Sequence, residues 1–235
     1  MNLLRNLSAS PVVALASFLL GATPFPAAET ITSAPPPKRS SPELPSARPA
    51  HWAVKSNLPG VPNFHRVTTN LYRGAQPTAE GVARLKAMGI RTVVNLRAFH
   101  SDKDELAGSE LKGKRLSTKP WHGETDDVVR FLKIVSDTNN LPGFVHCQRG
   151  ADRTGVMCAM YRIAVCGWTK QEAIKEMTHG GFGFSPTWQN LIRFVERADI
   201  ADIKRRAGIK SGNRQSAPAQ QEGEAATTSP DSKNK

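Results

Sequence analysis

The chain has 235 residues, 39% of them hydrophobic and 22% charged. That composition excludes a wholly disordered protein and suits one ordinary domain with a core, plus tails. Lys and Arg number 32 against 20 Asp and Glu, a net charge of +12. Trp52 to Arg206 holds 24 basic and 15 acidic residues, so the basicity belongs mainly to the domain. A basic domain favours an acidic or phosphorylated substrate, or contact with anionic lipid. No aromatic-basic interleaving or groove-reading motif points to nucleic acid. The three cysteines, Cys147, Cys158 and Cys166, lack the Cys-x-x-Cys spacing of a metal site.

At the start of the chain, Met1–Asn6 carries Arg5, Pro11–Ala22 is apolar and uncharged, and small residues follow, including Ala27 and Ala28. The apolar stretch is shorter than the roughly 20 residues a membrane span requires. Residues 1–28 are therefore predicted to be a secretory signal peptide, which would export the domain to a periplasm or out of the cell. An uncleaved N-terminal membrane anchor is the alternative, and would bring the domain to a membrane. Residues 29–51 are rich in Pro, Ser and Ala and read as an extended linker. Residues 52–207 form the predicted domain, and 208–235 a polar, disordered tail.

Within the domain, strand and helix patterns alternate. Phe64–Tyr72 reads as a strand, Pro77–Met88 as a helix stopped by Gly89, and Ile90–Leu96 as a buried β-branched strand. Ser101–Lys114 is polar and reads as a loop; His100–Glu105, at its start, reads as a solvated loop rather than a metal or acid cluster; a short strand follows at Arg115–Thr118. Thr125 is an apparent N-cap, followed by Asp126 and Asp127 at the positive helix end and an apolar stripe of Val128, Phe131, Leu132 and Val135. Phe144-Val145-His146 is a short strand and Thr154–Val165 a helix. Thr169 and Glu172 have the spacing of a capping box, and Trp188, Leu191, Ile192 and Val195 mark a last helix. The expected fold class is α/β, a mainly parallel central sheet flanked by helices. Cys158 and Cys166 read as core residues. On one helix they would be about 12 Å apart along the axis, too far for a disulfide.

The chemistry concentrates between the His146 strand and the Thr154 helix, where the chain reads His146-Cys147-Gln148-Arg149-Gly150-Ala151-Asp152-Arg153-Thr154-Gly155. A tight loop entering a helix can turn several backbone N–H groups onto an anion, and the helix dipole adds positive potential. Gln148, Arg149, Gly150, Ala151, Arg153 and Thr154 are the candidate phosphate-binding residues. The planar fork of Arg153 matches two phosphate oxygens. The same field favours the thiolate of Cys147, the candidate nucleophile. Attack on phosphorus would give a phosphocysteine that water then hydrolyses. The loop amides and Arg153 would stabilise the transferring group, so neither metal nor other cofactor is required.

This run resembles the signature of the protein tyrosine and dual-specificity phosphatase superfamily, His-Cys-x5-Arg-Ser/Thr-Gly, with every fixed position filled. The wider stretch from Leu71 to Val195 is similar to small bacterial dual-specificity-type phosphatases. Leu71-Tyr72-Arg73-Gly74-Ala75-Gln76-Pro77 and Gly180-Gly181-Phe182-Gly183-Phe184 add to the likeness. The resemblance implies that Cys147 is the nucleophile, that Arg153 binds phosphate, that Thr154 hydrogen-bonds the sulfur, and that His146 orients the loop from beneath.

The general acid is open at this level. The Trp-Pro-Asp loop of larger tyrosine phosphatases is missing; the corresponding region reads Lys119-Pro120-Trp121-His122-Gly123-Glu124-Thr125-Asp126-Asp127. Asp152 is the favoured acid, because Asp-Arg-Thr endings occur in several lipid phosphatases and secreted bacterial phosphatases of the superfamily. Its alternative role is a surface carboxylate paired with Arg149. Glu124, His122 and Asp126 are the competing acids. Arg73 and Gln76 are either part of the site floor or a strand-end turn.

The expected function is phosphomonoester hydrolysis on phosphotyrosine proteins, with phosphoserine and phosphothreonine as extensions. The alternative is the same chemistry on a phosphoinositide or inositol phosphate. Other classes are a non-catalytic phospho-binding module, against which the intact Cys147 and Arg153 argue, and a thiol redox or sulfur-transfer protein, against which Arg153-Thr154-Gly155 argues.

Overall fold

The computed structural model describes residues 48–119 and 123–210. The predicted signal segment 1–28, nearly all of the predicted linker, His122 and the chain past residue 210 lie outside the described residues. Among the described residues no helix is long and apolar enough to cross a membrane.

Six strands form one sheet: β1 (Val54–Lys55), β2 (His65–Arg66), β3 (Leu71–Gly74), β4 (Thr92–Arg97), β5 (Lys112–Thr118) and β6 (Gly143–His146), in the order β1-β2-β3-β6-β4-β5. The β3–β6, β6–β4 and β4–β5 pairs are parallel, while β1–β2 and β2–β3 are antiparallel. The fold is thus the expected α/β sheet, with an antiparallel edge. The helices are α1 (Ala79–Ala87), α2 (Lys103–Leu106), α3 (Thr125–Ser136), α4 (Asp152–Ala164), α5 (Lys170–His179), α6 (Gln189–Arg197) and α7 (Ile200–Ala207).

The period of two along the central strands divides the core. Val94, Leu96 and Val145 face a layer that includes Phe131, Leu132, Met160, Leu191 and Ile203 from the helices on that side. Val93 and Phe144 face Leu85, Ile90 and Phe64 on the other. Burying a side chain the size of Phe131 or Leu132 contributes roughly 1.5–3 kcal/mol. Helix α4 is buried on nearly every side, from Thr154 to Ala164, which holds its first turn, and the loop before it, rigidly against the sheet.

Several local expectations change. Phe64–Tyr72 divides into β2 and β3, because Thr68 turns the chain: its Oγ1 accepts from the N–H groups of Asn70 and Leu71. Thr125 is the first residue of α3 rather than its N-cap; Glu124 takes that place with no side-chain cap bond. The Thr169–Glu172 capping box is present, each side chain accepting from the other's backbone N–H. The polar run 101–114 is not simply loop, since it contains α2 and the start of β5. A further helix, α7, follows the one at Trp188–Val195. The N-terminal segment is fastened by Glu176, which pairs with Arg162 at 2.8 and 2.9 Å and accepts from the N–H of Ala53 at 2.6 Å.

Candidate active site

Parallel strands deliver the loops after their carboxyl ends to one edge of the sheet, where α/β proteins place their sites. Here β6 ends at His146, the loop 147–151 follows, and α4 begins at Asp152. The loop is seated on the end of β3: Gln76 N–H donates to the Gln148 carbonyl at 3.2 Å, and Arg73 Nη2 donates to the carbonyls of Gly150 and Ala151 at 2.8 and 3.4 Å. Arg73 is 1% exposed and lies over the Phe182 ring at 3.7 Å. Arg73, one of two open readings in the sequence, is therefore part of the floor. Asn63 closes the far side, donating from Nδ2 to the carbonyls of Arg149 (3.0 Å) and Phe182 (2.9 Å). Since carbonyls are held away by these donors, the loop's N–H groups are left for an anion.

Cys147 is 3% exposed at the base of this loop. Burial opposes ionisation of the thiol and is the largest single influence. The Thr154 hydroxyl and N–H, the Arg153 guanidinium and the Gly150 N–H together outweigh it, so the thiol titrates below its ordinary 9.0. Thr154 Oγ1 is buried, and a thiolate, diffuse and weakly directional, is the acceptor that suits its hydroxyl. Cys158, on the same helix, is the contrast: burial pushes its thiol up to about 11. Arg153 is half-buried and donates from Nη1 to the Leu96 carbonyl at 3.3 Å.

The candidate acids are placed differently. Asp152 accepts from the Ser185 N–H at 2.8 Å through Oδ1 and from Arg149 Nη2 at 3.1 Å through Oδ2. Glu124 lines the same cleft as Arg153, together with Thr118, Lys119, Asp127 and Phe194, and stands 3.6 Å from Lys119 Nζ. Asp126 is turned to Arg206 of α7. His122 lies outside the described residues.

The solvated-loop reading of His100–Glu105 is overturned at Asp102. This residue is 6% exposed; its Oδ2 lies 2.8 Å from His146 Nε2, and its Oδ1 accepts from Asn95 Nδ2 (2.8 Å) and Gln76 Nε2 (3.0 Å). Asn95, Asp102 and Asn63 escaped the sequence reading. For Asn95 a signal exists, a lone amide at the carboxyl end of an otherwise apolar buried strand. For Asp102 there is none, because only the folded register brings it under His146.

Known proteins are similar to this chain over most of the described domain. A family model described as the DSP-PTPase phosphatase fused to NAD+ kinase matches residues 56–191. The dual specificity protein phosphatase TpbA of Pseudomonas aeruginosa is 34% identical over 194 residues, covering 81% of this chain and 79% of TpbA. The chain belongs to the DSP-PTPase phosphatase family. This phosphatase also superposes on the P. aeruginosa TpbA crystal structure in complex with phosphotyrosine, with a TM-score of 0.61 and 31% identity over 70% of this chain and 99% of that one. The catalytic core of the S. cerevisiae PP-IP phosphatase shares the fold, with a TM-score of 0.57 at 21% identity over 65% of this chain and 94% of that one. An inositol diphosphatase of Arabidopsis thaliana is 27% identical over 61% of this chain and 72% of its own length. The enzyme is accordingly a hydrolase of the tyrosine/dual-specificity phosphatase class.

Proposed function

We propose that this phosphatase acts on phosphotyrosine-containing proteins, and on phosphoserine or phosphothreonine at lower rate, through a phosphocysteine on Cys147. The observation that carries the reading is a buried thiol held below its ordinary pKa at the base of a loop closed by Arg153. TpbA, a protein phosphatase similar over most of both chains, supports the protein substrate.

In this mechanism Sγ of Cys147 attacks phosphorus in line with the ester oxygen. The S–P bond forms, the P–O bond breaks, and the leaving oxygen takes a proton from Asp152. Water, deprotonated by Asp152, then attacks phosphorus and expels the thiolate, whose returning charge the Thr154 hydroxyl meets. Inorganic phosphate leaves. Asp152 enters the cycle when Arg149, exposed on the rim, turns from Oδ2 toward the substrate. Asp152→Asn is expected to slow hydrolysis of a poor phenolate leaving group about 100-fold and that of a good one only slightly. Equal slowing of both removes Asp152 from the role. Glu124 is the second reading, on the observation that it shares a cleft with Arg153; it takes the role if Glu124→Gln alone shows that leaving-group dependence.

The inositol phosphate reading shares every step, and the A. thaliana inositol diphosphatase supports it. A panel of phosphopeptides, phosphoinositides and inositol phosphates, with and without chelator, separates them: the highest kcat/KM on a phosphotyrosyl peptide, unchanged by chelator, is the expected result. The basic, apolar-then-small pattern of residues 1–28 supports export with removal of the segment. A mature protein beginning near residue 29 is expected outside the cytoplasm; an intact N-terminus in the membrane fraction indicates the anchored alternative.

A further inference from the structure

His146 is wholly buried, and both of its ring nitrogens face oxygens that only accept. Nδ1 lies 3.2 Å from the Cys147 carbonyl and Nε2 lies 2.8 Å from Asp102 Oδ2. The Phe144 ring is stacked against it at 5.6 Å and 15°. A neutral imidazole has one N–H and would leave one of these contacts as two facing lone pairs. Two N–H groups satisfy both. Asp102 in turn is an acceptor on every side, from Asn95 of β4, from Gln76 after β3, and from His146 of β6. His100 Nε2 stands 3.7 Å from its Oδ1 and 3.0 Å from Glu105 Oε1, and Arg97 reaches the cluster through Gln76 Oε1 at 3.1 Å. Burial works against the Asp102 carboxylate, but the His146 and Gln76 hydrogen bonds and the His146 and His100 charges outweigh it, so it is ionised.

We propose that Asp102 is a positioning residue that keeps His146 doubly protonated, placing a fixed buried cation behind the Cys147 nucleophile and fixing the Cys147 carbonyl that starts the phosphate loop. The inference rests on Cys147 as the nucleophile. It explains why an ion pair, costly to bury, stands beneath the loop with both ring nitrogens and both carboxylate oxygens engaged. It also gives the His100–Glu105 segment a function, since that segment's turn into α2 is what carries Asp102 inward.

Asp102→Asn separates charge from shape. An asparagine can offer Oδ1 to Asn95 and Gln76 and its amide N–H to His146 Nε2, which the neutral Nδ1–H tautomer accepts. Every hydrogen bond is kept and the charge is lost. In the full-length protein with 15N-labelled histidine, the His146 ring is expected to report two protonated nitrogens at pH 7 in the wild type and one in Asp102→Asn. The pH midpoint for alkylation of Cys147 by iodoacetamide is expected to rise by about one unit in the variant, so that alkylation below the midpoint is about tenfold slower. A wild-type His146 with a single ring proton overturns the proposal, and this readout needs no variant to fold. An alkylation midpoint unchanged in a folded Asp102→Asn protein overturns it equally. Neither measurement uses a substrate, so failure here is distinct from failure of the phosphatase reading, which substrate turnover decides.

Discussion

Cys147→Ser is expected to lower hydrolysis of an aryl phosphate by at least about 10⁴-fold while leaving the fold and phosphate binding in place. The side chain is 3% exposed and the two residues are nearly isosteric, so packing against the floor of the site changes little. What changes is the nucleophile. The hydrogen bonds of Thr154 and Gly150 and the charge of Arg153 overcome burial sufficiently to ionise a thiol. A hydroxyl starts from a far higher pKa and stays neutral in the same field. Steady-state assay gives the loss, and equilibrium binding of inorganic phosphate to the variant shows that the loop still holds an anion. Turnover within tenfold of wild type would exclude Cys147 as nucleophile. The sign of the pH dependence follows from the same residue. The folded thiol titrates below 9.0, so kcat/KM falls as pH is lowered through that depressed value. The stability contributed by the bound thiolate is present above 9.0 and is lost as pH falls toward the folded pKa.

Cys147, Arg153 and the strand–loop–helix around them were legible in the sequence as one candidate site because they are contiguous. A ten-residue run specifies its own local geometry, and the apolar period before and after it specifies which layer it joins. What surrounds the loop is non-local. Asp102 lies 44 positions from His146, inside a polar run whose composition matches any solvated loop. It is carried inward only because β4 pairs with β6 in a register that sets Asn95 beside His146. Asn63, the clamp on the Arg149 carbonyl, sits in a stretch of turns with no period. Asp152 shows the opposite limit. Its position beside Arg153 was plain in the sequence, yet the Ser185 N–H that holds it comes from the connection between α5 and α6, which no pattern ties to the loop. Local chemistry is written in adjacent residues; the groups that orient it are gathered by strand register and loop length.

Gly150→Ala is expected to break the site through the backbone alone. Gly150 has φ +68°, and an added Cβ would lie 2.3 Å from the Gly74 carbonyl oxygen and 2.6 Å from Ala75 N. Both neighbours are backbone, so neither can swing aside. Gly74 cannot retreat either, because its own Cα faces the Phe144 ring at the distance where a Cβ would stand 2.9 Å away. The loop must therefore lift, taking with it the Gly150 N–H that helps ionise Cys147 and the Gly150 carbonyl that Arg73 holds. Left-handed strain and overpacking together are expected to cost about 2–4 kcal/mol, read as a lower urea midpoint. Loss of a preorganised donor is expected to lower kcat about 10²–10³-fold, with the Cys147 alkylation midpoint shifted upward. Gly181→Ala is the control. Its φ of +79° carries similar conformational strain, but nothing lies within 4 Å of the added Cβ. That variant is expected to lose about 1 kcal/mol and keep its activity. If Gly150→Ala matched Gly181→Ala in both stability and rate, the close seating of the loop on β3 would not be what holds the anion site together, and the donors that ionise Cys147 would have to be sought in Thr154 and Arg153 alone.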